Sequence, residues 1–233
     1  MAELGALTSD VSWLSVDLLG HGDNLDGDGP FSLDTLSRDL SRRLSDVTGA
    51  VGVGHSSGGA AIARAETLDP GTFSHLVLIE PIIFPPPYRV IDIPLAHAAE
   101  KRRVVFSDRQ AAYDRFVNGP FVSWRQDALD AYVDFGFVDT PNGWRIKCQP
   151  AVEAEVFRQG LNHDTWDRIE RIEVPATIVA GESSETHREP YLSSLADRFV
   201  ESEVIIVPET GHFVPMERPD LIASIIAQVL GDL

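Results

Sequence analysis

The run Gly49-Ala50-Val51-Gly52-Val53-Gly54-His55-Ser56-Ser57-Gly58-Gly59-Ala60-Ala61-Ile62-Ala63-Arg64-Ala65-Glu66 decides how this chain folds. Its first part is small and β-branched, as a buried strand is, and its last part is alanine-rich, as a helix is. Ser56 stands where the one becomes the other. A turn that tight is strained, and small residues two positions before and after the serine let the strand and helix pass closely. Such an elbow lifts the Ser56 hydroxyl off the sheet and aims the first N–H groups of the helix at whatever the serine attacks.

The rest of the chain extends this pattern. Ser12–Leu18 reads as a strand running into the glycine turn Gly20-His21-Gly22, and residues 2–8 read as the end of a helix. Leu33, Leu36, Leu40 and Leu44 recur at helical spacing behind Ser32, a suitable N-cap. Further strands are expected at 74–80, 178–180 and 203–207, and helices at 190–199 and 219–230. Strands alternating with helices imply an α/β protein, with a mostly parallel sheet covered by helices on both faces. Residues 82–168 interrupt the alternation with scattered aromatics and two helical stretches, near 108–117 and 127–135. So long an insertion reads as a lid over the C-terminal sheet edge, and its aromatics equally read as a satellite core. The expected organisation is therefore a core of 1–81 and 169–233 with a lid of 82–168.

Composition narrows the partners. With 19 basic and 36 acidic residues, the formal charge of −17 argues against a nucleic-acid or anionic membrane surface. No stretch has the length of a membrane span, and the first residues lack the features of a signal peptide. The single cysteine, Cys148, suits a reducing, cytoplasmic setting and has no neighbouring ligands that would make it a metal site. The expected partner is a small-molecule substrate, with no cofactor and no metal; assembly as a homo-oligomer stays open.

Three segments together resemble the α/β-hydrolase fold superfamily: Asp17-Leu18-Leu19-Gly20-His21-Gly22, Gly54-His55-Ser56-Ser57-Gly58-Gly59, and Gly211-His212-Phe213-Val214-Pro215-Met216-Glu217-Arg218-Pro219. The resemblance implies a serine nucleophile, a histidine base after the last strand, and an acid between them in sequence. Chemistry supports the same roles, because a serine hydroxyl is a weak nucleophile until an imidazole takes its proton. His212 follows the strand 203–207 and is the candidate base. His55 is expected to be turned away by the elbow. His97, His163 and His187 are assigned to the lid or to loops.

The acid has three candidates. The superfamily's usual loop reads Gly181-Glu182-Ser183-Ser184-Glu185-Thr186-His187, with Ser184 at the usual aspartate position and Glu182 and Glu185 beside it. A second placement, at the end of the strand after the nucleophile helix, is filled by Glu80 and is preferred. Ser57 is expected to donate its N–H to an oxyanion, and His21, Phe213 and Trp124 to contact substrate. A serine nucleophile excludes the alkyl ester that relatives with an aspartate nucleophile form, leaving acyl transfer from an ester-like or other acyl substrate with a hydrophobic part. The competing reading is a catalytically impaired or non-catalytic binding protein of the same fold. The resemblance also implies three strands before Trp13 and a loop supplying a second oxyanion donor. Losing one such donor costs about 10²–10³ in rate. The intact downstream elements favour a shortened or misassigned start over replacement of the donor by another loop, such as Gly20-His21-Gly22, or a decayed enzyme.

Overall fold

A computed structural model describes residues 11–231 except Asp26 and Asp28. The helix end expected at 2–8 lies outside the described residues. Four parallel strands form the central sheet: β1 (Ala50–His55), β2 (Phe73–Ile79), β6 (Ala176–Gly181) and β7 (Ser202–Val207), in the spatial order β1-β2-β6-β7. Their register aligns His55 with Ile79, Ile79 with Val179, and Gly181 with Val207. The carboxyl ends of all four strands therefore meet at one edge.

Alternating side chains send the sheet's apolar residues to opposite faces. Leu76, Leu78, Ile178 and Ala180 pack with α1 (Leu33–Arg43) and α2 (Ser57–Leu68). Val77, Ile79, Val179 and Val207 pack on the other face against Ile222, Ile226 and Val229 of α10 (Pro219–Gly231). Ser32 caps α1, accepting a bond from the Thr35 N–H. Arg64 of α2 is buried, and its guanidinium pairs with Asp34 of α1 at 2.7 Å and with Asp164 at 2.6 Å. These two carboxylates offset the cost of taking the charge out of water.

The strand expected at Ser12–Leu18 does not form. Residues 11–18 carry no regular secondary structure; Trp13, Val16 and Leu18 pack against the core, while Leu14 and Asp17 are exposed. The inward residues fall at irregular spacing, and the backbone joins no ladder. An apolar cavity of about 430 Å³, lined by Trp13, Val16, Leu18, Val51, Val53 and Ile62 among others, separates this segment from β1. Without a hydrogen-bonding neighbour within reach, an extended chain is not a strand.

The segment 82–168 holds more regular structure than its sequence suggested. It contains α3 (Pro94–Lys101), α4 (Arg109–Val117), α5 (Gln126–Phe135) and α6 (Pro150–Gln159), followed by α7 (Thr165–Arg168). It also contains a small antiparallel sheet in the order β3-β5-β4, from Val105–Phe106, Gly143–Ile146 and Phe137–Thr140. Phe106, Phe116, Leu129, Val133 and Phe137 bury a separate core there. This small sheet was missed because strands of two to four residues are too short to show a period. The remaining helices are α8 (Tyr191–Ala196) and α9 (Val214–Glu217). No helix among the described residues is long and apolar enough to cross a membrane.

Candidate active site

Ser56 sits between β1 and α2 with φ 54° and ψ −117°. A non-glycine residue there costs on the order of 1–3 kcal/mol, held in place by the surrounding packing. The packing is visible at the glycines. A Cβ on Gly54 would lie 2.6 Å from the Gly58 carbonyl, and one on Gly59 would lie 2.9 Å from the Gly54 carbonyl and 3.1 Å from Pro81 Cβ. A Cβ on Gly58 would meet nothing within 4 Å. The close approach that the elbow demands therefore falls on Gly54 and Gly59, not on the residue two after the serine. Ser57 opens α2, so its N–H has no acceptor within the helix and lies at the helix's positive end.

His212 comes from the loop between β7 and α9. Its Nε2 lies 3.2 Å from Ser56 Oγ and its Nδ1 lies 3.1 Å from Glu80 Oε2. The loop is tied down at several points. Thr210 Oγ1 donates to the Val207 carbonyl at 2.9 Å, the Ser183 N–H donates to the Thr210 carbonyl at 2.9 Å, and the Gly211 N–H donates to Glu217 Oε2 at 3.0 Å. His55 is not turned away from the site as expected. Its Nε2–H donates to the His212 carbonyl at 2.7 Å, and the two rings lie 4.8 Å apart. Burial, reinforced by His212, pushes the His55 imidazole down to about 4, so it is a neutral ring bracing the loop.

Glu80 follows β2 with a positive φ of 47° and is completely buried. The Gly181 N–H donates to Oε1 at 2.9 Å, and the Ser184 hydroxyl donates to Oε2 at 2.8 Å. Burial pushes this carboxyl up, but hydrogen bonds from His187 and His212, the electrostatic influence of His187 and the Gly181 N–H more than offset it, holding it at about 2. The acid is therefore ionised and sealed, whereas the His212 side chain is 37% exposed and can be reached from outside.

Of the three candidate acids, the structure brings only Glu80 to His212. Glu185 and Glu182 are exposed, and Glu182 Oε2 accepts the Glu209 N–H at 3.1 Å. Phe213 lies 5.5 Å from the His212 ring and 5.4 Å from Trp124, with Phe121 stacked on Trp124 at 3.9 Å. These aromatics form an apolar wall beside the histidine. His21 takes no part in this cluster: its Nδ1 bonds the Leu19 carbonyl within its own turn at 3.1 Å.

Sequence reasoning gave Ser184, His187 and Glu217 no role at the site. The first two lie in the loop after β6 and act on or beside Glu80, more than a hundred residues away in the chain. Glu217 bonds both Gly211 and, through Oε1, the Ser123 hydroxyl at 2.6 Å, joining the segment 82–168 to the histidine loop. Glu80, His187 and His212 place ligand-type atoms within 4.8 Å of one another. In that trio Glu80 already accepts bonds from Gly181 and Ser184, and His187 Nε2 is taken up by the Pro81 carbonyl, so they read as a hydrogen-bond network more than as a metal cage. Cys148 lies outside the site, and burial pushes its thiol up to about 11, keeping it protonated.

A parallel sheet with a serine elbow, and a histidine and a buried carboxylate converging on its C-terminal edge, defines the α/β-hydrolase class of protein. The sequence matches the alpha/beta hydrolase family over residues 1–225, and the chain belongs to that family. It is 26% identical over 215 residues to the Abhydrolase domain-containing protein ACTT2-1 of Alternaria alternata, covering 76% of this chain and 81% of that protein. It is 27% identical over 222 residues to the lipase LipV of Mycobacterium tuberculosis, covering 92% and 82%. Its fold is similar to that of E-2-(acetamidomethylene)succinate hydrolase, with a TM-score of 0.76 at 23% identity, covering 92% of this chain and 80% of that one.

Proposed function

We propose that the protein is a serine hydrolase acting through an acyl-serine intermediate on a small ester-like or other acyl substrate with a hydrophobic part. The observation that carries this reading is the chain Ser56 Oγ–His212 Nε2 and His212 Nδ1–Glu80 Oε2, at 3.2 and 3.1 Å. Ser56 Oγ attacks the carbonyl carbon while its proton passes to His212 Nε2. The developing oxyanion is met by the Ser57 N–H at the positive end of α2. The imidazolium, stabilised by Glu80, then gives its proton to the leaving group as the bond to it breaks. A water, deprotonated by His212, attacks the acyl-serine; the acid product leaves and Ser56 recovers its proton.

Residues 82–168 serve as the lid in this reading. Trp124, Phe121 and Phe213 offer the hydrophobic part of the substrate an apolar surface beside His212. The single, protonated thiol suits a reducing, cytoplasmic setting. The test is covalent labelling with a fluorophosphonate probe, read by intact mass. Wild type should gain one adduct and Ser56→Ala none; an unlabelled, folded wild-type chain overturns the reading.

A further inference from the structure

The walls of the apolar cavity beside β1 limit what can fill it. β1 is the outermost strand of the central sheet on that side. In a parallel strand the N–H and C=O of one residue point to the same side, and successive residues alternate. The Ser56 N–H donates to the Ile79 carbonyl on β2, and Gly54 and Gly52 follow it by alternation. Val51 and Val53 therefore direct their N–H and C=O groups away from β2, on the side of the cavity they line. On the opposite wall, the backbone of residues 11–16 is bonded neither to β1 nor to any other backbone group among the described residues. Helices close the two faces, with Leu40 of α1 and Ile62 of α2 on one and Ile226 and Leu230 of α10 on the other. No charged side chain lines the cavity, although the chain carries 36 acidic and 19 basic residues.

We propose that this slot is a strand-acceptor site: it takes an extended, uncharged, apolar segment of a separate polypeptide, which joins the central sheet beside β1. The unpaired backbone on its two walls decides the class of occupant. A hydrocarbon or lipid tail would match the apolar faces but bury the N–H and C=O groups of Val51 and Val53 without partners, which is costly. A peptide strand bonds those groups and presents side chains to both faces at once. Its sequence is then a continuous apolar run, as in strands buried on both sides. β1 is six residues long, which sets the length of the pairing. Left dry, a void of about 430 Å³ would forfeit stability on the scale of a whole domain's margin, so an occupant gains by filling it. A second copy of this chain fits poorly, because its edge strands come already built into a helix-covered sheet; β7, the other edge, is locked to β6 along all six of its residues. Ser56, His212 and Glu80 do not line the slot, so the site is separate from the catalytic one and independent of the hydrolase reading.

The test is amide hydrogen exchange of the full chain, read at Val51 and Val53 by NMR, with and without a synthetic peptide. The peptide is a valine and isoleucine run of about six residues, with lysines at both ends for solubility. A control peptide of the same sequence is N-methylated along its backbone, so it is as apolar and as charged but has no N–H to donate. In the free chain both amides should exchange faster than those of Gly52 and Gly54, which face β2. The unmethylated peptide should slow them by about tenfold or more, saturably, and the control should not. No slowing at any peptide concentration overturns the proposal. Equal slowing by both peptides also overturns it, by marking a nonspecific apolar groove. Slow exchange in the free chain does so too: if independent of protein concentration, another part of the same chain covers β1, and if it grows with concentration, a second copy does. None of these readouts involves serine labelling, so this proposal and the hydrolase reading fail separately.

Discussion

Ser184 donates its hydroxyl to Glu80, Oγ to Oε2 at 2.8 Å, from the loop that could itself have offered a carboxylate. The acid and its support have thus been divided between two neighbouring strand ends. Glu80 follows β2 and Ser184 follows β6, and the register that pairs Ile79 with Val179 brings them together.

Because Glu80 alone reaches His212, Glu80→Gln should lower kcat/KM for a simple ester by about 10²–10⁴-fold. Glu185→Gln and Glu182→Gln should stay near wild type, since both side chains are exposed and away from His212. Steady-state hydrolysis by the three variants checks this. Near-normal turnover in Glu80→Gln would reject the assignment.

The elbow glycines should separate in stability. Gly59→Ala pushes a methyl against the Gly54 carbonyl and should cost about 1–3 kcal/mol. Gly54→Ala, facing backbone at 2.6 Å, should cost at least as much. Gly58→Ala has open space inside a helix and should be neutral or stabilising by up to about 1 kcal/mol. Urea unfolding of the three variants measures the order, and a Gly58→Ala protein as unstable as Gly59→Ala would contradict the packing argument.

Stability should fall on acidification in two stages. Burial holds His55 and His163 at about 4 in the folded chain, against an ordinary 6.5, so between these values the unfolded chain binds more protons and gains on the folded one. Glu80, held at about 2 against an ordinary 4.5, adds a further loss as pH drops through that lower window. Denaturation midpoints measured from neutral pH downward should decline below about 6.5. A flat profile down to about 4 would show that the two histidines are not buried neutral.

Glu217 joins Ser123 to the backbone just before His212, so Glu217→Ala should disturb the base more than the fold. Loss of the charged hydrogen bond to Gly211 is worth about 1.5–3 kcal/mol at most, so kcat should drop by roughly ten- to a hundredfold. Ser123→Ala, which leaves the Gly211 bond in place, should have a smaller effect. Equal losses in the two variants would mean that the Ser123 contact, not the Gly211 contact, governs the histidine loop.

The serine elbow, the strands that carry Ser56 and Glu80, and the loop that carries His212 could all be read from the chain, because short-range patterns specify them. Strand–turn–helix spacing around Ser56 and the apolar run ending at Glu80 are local properties of the sequence. The strand expected at residues 12–18 was not decided locally: whether they pair depended on a neighbour within hydrogen-bonding distance, and a cavity lies there instead. The choice among Glu80, Glu182 and Glu185 was likewise a question of which side chain turns inward. Only the packing of β2 against β6 answered it, by burying one carboxylate among donors and leaving the other two in water. The partners of that carboxylate, His187 and Ser184, lie more than a hundred residues away from it, and such a meeting is written in no periodicity. The Ser56 elbow is a local feature that sequence alone determined. What stands opposite it was decided by the tertiary structure, because a buried charge is stable only where distant donors converge on it.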